Sequence, residues 1–187
     1  MTPRSPQFVG LLWGLSEFAL SILKRSKKGS VSKDRSSLKI IWLANLAAVA
    51  LGVIAAYQLP ACRMSWSASV ANIALSLFVL GIALRWTSIV YLGRFFTVNV
   101  AVHADHRVID SGPYRFIRHP SYTGSLLAVF GFALSFQNWA SLLIVFTTSC
   151  AATLYRIHIE EAVLLEVLGE PYRSYSKKTK RLLPLIY

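Results

Sequence analysis

Charge is what this sequence has least of. Of its 187 residues only 15% are Asp, Glu, Lys or Arg, against 55% that are hydrophobic. A soluble domain of this length carries about a quarter charged residues, so the chain is expected in lipid. Acids are the scarcest: 8 Asp and Glu stand beside 20 Lys and Arg. A basic excess can mark a nucleic-acid binder, but here the cations are grouped in loops beside apolar blocks. Seven lie between Lys24 and Lys39, four between Arg94 and Arg118, and six between Arg156 and Arg181. That is the positive-inside pattern of membrane proteins, and no nucleic-acid partner is predicted. Two cysteines, Cys62 in a short loop and Cys150 inside an apolar block, make no disulfide framework. No Cys/His cluster has zinc-site spacing, and His103 and His106 with only Asp105 nearby read as polar loop residues, so no metal is expected. A Gly-x-Gly-x-x-Gly turn after a strand is also missing, which excludes a Rossmann-type nucleotide fold.

What remains is a series of apolar blocks. Residues 8–23 are apolar apart from Ser16, Glu17 and Ser21. At 1.5 Å per residue they reach about 24 Å, short of the ~30 Å hydrocarbon core, so they form a tilted span or an interfacial helix. A basic run follows them rather than a small-residue cleavage site, which argues against a signal peptide. Lys24 to Lys39 reads as a solvated loop. Residues 40–59, ended by Pro60, and residues 70–92 are full-length spans. Asn45 in the first is a helix–helix hydrogen-bonding group. Arg85, within the last two turns of the second, is placed to snorkel to the interface, or else to line a cavity. Residues 122–136 and 140–157 are shorter blocks joined by Gln137-Asn138-Trp139, hence an antiparallel hairpin. The last helix runs on to Leu168 and stops at Gly169; Pro171 then opens a shorter helix.

The predicted fold is therefore an all-α, polytopic helical membrane protein of about five transmembrane helices and a single domain. No internal repeat or low-complexity linker divides it. The segments 93–121 and 158–187 share the cytoplasmic side, which in a prokaryote is the inner face of the inner membrane. The sequence assigns no oligomeric state.

Asn99 to Gly124 is the longest polar island between apolar regions, and it holds three of the four histidines. Its end, Gly-Pro-Tyr-Arg through Arg-His-Pro-Ser-Tyr, faces a second polar group across the hairpin. There Arg156 and Glu160, four apart, stack on one helix face, and Glu161 lies about 100° round the helix. Ionisable groups at a membrane boundary are costly unless paired or functional. Taken alone, Arg156 and Glu160 read as an intrahelical pair at a solvated helix end.

Together these elements, Gly112-x-Tyr114 through Arg118-His119-Pro120-x-Tyr122-x-Gly124 and then Arg156-x-x-x-Glu160-Glu161, resemble the isoprenylcysteine carboxyl methyltransferase family. These are integral membrane enzymes that use S-adenosylmethionine and are related to membrane phospholipid N-methyltransferases. Leu168-Gly169-Glu170-x-Tyr172-x-x-Tyr175 and the final Leu-Pro fit the family's C-terminal pattern, so the likeness covers about residues 85–187. The resemblance implies a cytoplasmic cofactor pocket built from the 93–121 segment and the C-terminal helices. In it Asn99 stands where the family commonly has glutamine. His106, Arg107, Val108 and Ile109 match the segment lining the adenosyl group. Tyr114, His119, Pro120, Ser121 and Tyr122 match the main cofactor motif. Glu160 matches the acid that holds the cofactor, and Arg156 the arginine facing the substrate carboxylate. Arg156, Glu161 and Arg118 are the candidate catalytic set.

The implied reaction is S-adenosylmethionine-dependent O-methylation of a prenylcysteine-like or other hydrophobic carboxylate. A carboxylate acceptor is already ionised near pH 7 and needs no general base. An amine acceptor, as in a phosphatidylethanolamine-type N-methyltransferase, would need one, with His119 or Glu161 as candidates. A non-catalytic membrane scaffold of the same fold is the alternative of another class. The expected partners are the bilayer and a lipidated or otherwise hydrophobic acceptor.

Overall fold

A computed structural model describes residues 5–23, 31–34, 36–65, 67–96, 100–102 and 107–184. Among the described residues six α-helices carry the fold: α1 (Pro6–Leu23), α2 (Ser36–Gln58), α3 (Ala68–Leu92), α4 (Pro120–Leu134), α5 (Trp139–Leu168) and α6 (Glu170–Lys178). Among the described residues, α2, α5 and the α3 segment to Phe95 are long and apolar enough to cross a membrane, while α4 is a shorter apolar helix. Their outer faces carry exposed Leu43, Leu46, Leu80 and Leu143, as lipid-facing helices require.

Local chemistry sets the boundaries. The Ser67 side chain accepts from the Val70 N–H to start α3, and Asn138 accepts from Ser141 to start α5. Pro120 opens α4, where its missing N–H costs nothing. Gly169, at φ 59°, ends α5 and leads at once into α6. The expected turn at Gln137-Asn138-Trp139 is present, and Asn138 Nδ2 also donates to the Leu59 carbonyl at 2.9 Å. That bond ties the α4–α5 turn to the end of α2.

Two helix pairs dominate the packing, α3 with α4 and α2 with α5. The first is a backbone-to-backbone contact. A Cβ on Gly124 would lie 2.5 Å from the Arg85 nitrogen and 2.6 Å from the Gly81 carbonyl, so only glycine fits. The second pair is linked by hydrogen bonds: Ser141 donates to the Gly52 carbonyl (2.7 Å) and Ser149 to Asn45 Oδ1 (2.6 Å). Asn45 thus has the helix–helix role expected of it. The buried core gathers Val9, Phe78, Val129, Phe132, Leu142 and Val145.

One feature departs from the sequence reading, and an open alternative is decided. The Lys24–Lys39 region is not all solvated loop: α2 begins at Ser36, and β1 (Val31–Asp34) pairs antiparallel with β2 (Val100–Val102). Val31 faces Val102 and Asp34 faces Val100. A small ribbon therefore joins the basic loop to the polar island of an otherwise helical chain. Of the two placements open to Arg85, it takes the one that lines a cavity, and its Nε and Nη2 each lie 2.9 Å from a Glu17 carboxylate oxygen on α1. A guanidinium this far inside lipid is less costly when paired with an acid than when dragged to the interface.

Candidate functional site

The start of α4 and the end of α5 lie side by side, and between them opens a cavity of about 250 Å³. Its walls include Arg107, Val108, Ile109, Tyr114, Arg118, His119, Ser121, Tyr122, Arg156 and Glu160. Ten of the predicted site residues thus converge on one space. Pro120 and Glu161 do not line it, and Asn99 and His106 lie outside the described residues.

Tyr122 links the two polar groups. Its hydroxyl donates to Glu160 Oε2 at 2.8 Å and lies 3.4 Å from the Nε donor of Arg156. The expected intrahelical Arg–Glu stack is therefore bridged from α4. Arg156 is only 3% exposed, and its Nη1 donates to Ser37 at the start of α2. That contact fixes the guanidinium plane from a third helix, which the sequence did not reveal.

Arg118 and Glu161 sit in a different environment. Arg118 Nε donates to Glu161 Oε1 at 2.8 Å, and its Nη1 donates to the carbonyls of Ser176 and Thr179. His119 Nε2 lies 3.3 Å from the same carboxylate oxygen, while Arg181 binds the other oxygen at 2.9 Å. Backbone bonds continue the seam: Arg118 N–H to Lys180 O at 2.7 Å and His119 N–H to Arg181 O at 3.0 Å. Thr123 adds a bond to the Leu182 carbonyl at 2.8 Å. Glu161 is thus the centre of a clasp that fastens the C-terminal segment beneath the cavity, with its lone pairs directed at two guanidiniums and the His119 imidazole.

The floor is aromatic. Tyr114 donates to the Ser88 carbonyl at 3.2 Å, and Tyr175 donates to the Tyr114 carbonyl at 2.6 Å. Burial pushes the Tyr175 phenol up to about 12, with nearby Asp110 adding to the rise against the Thr179 hydrogen bond and the Arg118 charge. Burial, then the Glu160 charge, raises Tyr114 as well. Tyr172 is raised by burial and by Glu161 and Glu160, so all three remain neutral phenols. The Tyr172 hydroxyl is buried and has no hydrogen-bond partner among the described residues, although Tyr172 lines the cavity. A buried donor without a partner costs about 1–3 kcal/mol, so a ligand atom there would relieve it.

The cavity extends well beyond the polar end. Trp13, Glu17 and Leu20 of α1, Ile41 and Trp42 of α2, and Phe132 and Val145 further along also face it. The first two apolar segments are thus walls of the site rather than generic spans. The sequence reading passed over Glu17, Ser37 and Tyr172 as site residues. A signal for Glu17 existed, since it is the one acid in an apolar block; for Ser37 there was none.

Comparison with known proteins agrees with this geometry. The sequence profile of the isoprenylcysteine carboxyl methyltransferase family matches residues 74–166. The protein-S-isoprenylcysteine O-methyltransferase of Schizosaccharomyces pombe is 34% identical over 115 residues, 60% of this chain and 49% of that protein. The methanethiol S-methyltransferase of Pseudomonas deceptionensis is 37% identical over 71 residues, 38% of this chain and 26% of that one. The solved structure of the eukaryotic intramembrane Ras methyltransferase ICMT superposes with a TM-score of 0.70 at 27% identity, covering 97% of this chain and 65% of that one. The chain thus spans from about a quarter to about two thirds of the length of these relatives. A helical membrane fold shared over nearly the whole chain, with a matching profile across the cavity's main walls, leads to one assignment: the chain belongs to the isoprenylcysteine carboxyl methyltransferase family.

Proposed function

We propose that this protein is an S-adenosylmethionine-dependent membrane methyltransferase that esterifies the carboxylate of a prenylcysteine-like or other hydrophobic acceptor. The observation that carries the reading is the cavity itself, with an acid and an unpartnered phenol at one end and apolar side chains of α1, α2 and α4 at the other.

The polar end fits the cofactor. Glu160 keeps a carboxylate oriented by Tyr122 for the cofactor's amino group. Tyr172 offers its free hydroxyl, and Tyr114, Val108 and Ile109 provide surface for the adenosyl part. His119 turns Nε2 to Glu161, so its part in the site is to seat the start of α4. Bound S-adenosylmethionine supplies an electrophilic methyl group: a carbon–oxygen bond to the acceptor forms as the carbon–sulfur bond of the sulfonium breaks. Arg156, held by Ser37 and Tyr122, orients the acceptor carboxylate without having to order itself first. Arg85 also lines the wall, but Glu17 balances its charge. The Arg156 guanidinium opposes a protonated amine, which favours the ester over N-methylation. Burial excludes water from the reacting oxygen. The acceptor enters from the bilayer and the cofactor from the cytoplasmic side.

One experiment tests this. The purified protein is titrated with S-adenosylmethionine, then supplied with methyl-labelled cofactor and farnesylcysteine, phosphatidylethanolamine or methanethiol. The expected result is cofactor binding and base-labile label on farnesylcysteine. Base-stable label in lipid, or label on the thiol alone, overturns the acceptor; no cofactor binding overturns the whole reading. Glu160→Gln is expected to weaken cofactor binding about tenfold, the loss of one charge-assisted hydrogen bond. Arg156→Ala is expected to keep cofactor affinity and lose turnover.

A further inference from the structure

A second space opens at the other end of the helices. α1 packs chiefly on α4 and α2 chiefly on α5, which leaves a groove of about 740 Å³ between α1 and α2. Its floor is apolar, with Gly14 on one side, Val53 on the other and Phe136 below. Its rim is polar. Arg63, in the turn after α2, stands there with Gln137 from the α4–α5 turn. Arg63 is exposed, and among the described residues no side chain pairs with it. None of the described residues lining the groove is acidic.

α2 has 23 residues, so Arg63 lies about 34 Å from the Ser37–Arg156 contact, at the opposite membrane boundary. An apolar slot below one unpaired cation at headgroup depth matches a two-part ligand: a hydrocarbon chain joined to an anion. We propose that the groove binds a phospholipid, with one acyl chain between α1 and α2 and its phosphate on Arg63. A phosphate accepts the guanidinium fork directly, and the chain fills space that no side chain of the described residues occupies. Indeed, a Cβ on Gly14 would have nothing within 4 Å. The lipid also touches the methyltransferase cavity, because Trp13, Val49 and Phe132 line both spaces. Its chain supports the far wall of that cavity without entering it. This inference stands on the groove and does not depend on the acceptor's identity.

Native mass spectrometry of the full chain tests it, after delipidation and addition of dioleoylphosphatidylglycerol or, as a phosphate-free control, dioleoylglycerol. The wild type is expected to retain one phosphatidylglycerol and no dioleoylglycerol. Gly14→Phe and Val53→Trp, which fill the slot from either side, are expected to abolish retention. Arg63→Ala is expected to weaken it about tenfold, the loss of one charge-assisted contact. Unchanged S-adenosylmethionine titration shows that a variant has folded. Should both slot-filling variants misfold, Arg63→Glu, in an exposed turn, carries the test alone. Equal retention of the two lipids, or equal retention by wild type and Arg63→Glu, overturns the proposal. Displacement of the lipid by farnesylcysteine overturns it too, since the groove would then belong to the acceptor.

Discussion

Arg118 and Glu161 are 43 residues apart in the chain and meet at 2.8 Å, each side chain about nine-tenths buried. The pair closes the α4–α5 hairpin at its polar end and, through the carbonyls of Ser176 and Thr179, holds the segment after α6. Both residues were candidate catalysts by sequence. Their contacts also fasten the segment that carries Tyr172 and Tyr175 beneath the cavity, and Arg118 lines that cavity as well.

Arg118→Ala is therefore expected to act on stability first. Arg181 and His119 remain on Glu161, but the Ser176 and Thr179 carbonyls lose their donor, at a cost of about 1–3 kcal/mol for each buried group left unsatisfied. Thermal unfolding in detergent should show a large drop, with cofactor binding lost in proportion. Arg118→Lys should recover only part of the loss, because an ammonium cannot replace the guanidinium fork. Normal unfolding together with abolished turnover would return Arg118 to the chemistry.

Glu17 and Arg85 make a second buried pair, here between α1 and α3, and Ser16 reinforces it by accepting from Trp86 at 2.8 Å. Glu17→Leu alone and Arg85→Met alone are each expected to be strongly destabilising, as each leaves one charge in an apolar wall. The double variant should regain most of the loss, since replacing both partners of a buried pair by apolar groups is often neutral. A double-mutant cycle by chemical denaturation measures the coupling; additive losses would show that the pair contributes nothing to the docking of α1.

Tyr175 gives a pH prediction. Its phenol is raised from 10.0 to about 12 by burial. A raised folded value means that the folded state favours the protonated form. Its contribution is fully present below pH 10 and is lost as the pH climbs from about 10 to about 12. Stability measured across that window should fall, and Tyr175→Phe should flatten the decline. Tyrosinate absorbance of Tyr175 appearing near pH 10 in the folded protein would contradict it.

Much of the fold was legible along the chain, because lipid forces a simple code. Every backbone polar group must be satisfied within its own helix, so long apolar blocks can only be helices. The turn at Gln137-Asn138, the stop at Gly169 and the start at Glu170-Pro171 all follow from local chemistry. The β1–β2 ribbon was not legible: strands of four and three residues are too short to show a period, and their partners are some 70 positions apart. The motif residues could also be read, since Tyr114, His119, Tyr122 and Glu160 stand in a recognisable spacing.

Their individual tasks could not. Glu160 and Glu161 are adjacent identical acids, and nothing local says which one faces the cavity. The rotation of α5 against α4, set by the tight α3–α4 contact and the α2–α5 hydrogen bonds, turns Glu160 inward to Tyr122 and Glu161 down to Arg118 and Arg181. The sequence by itself determined that this chain is a helical membrane protein with a polar motif at one boundary, because hydrophobic length and helix punctuation are local properties. Which charges meet, which acid stays available to a ligand, and how α1 and α2 wall the cavity were decided only by tertiary structure, because those contacts depend on helix rotation and on partners as far as 119 residues apart.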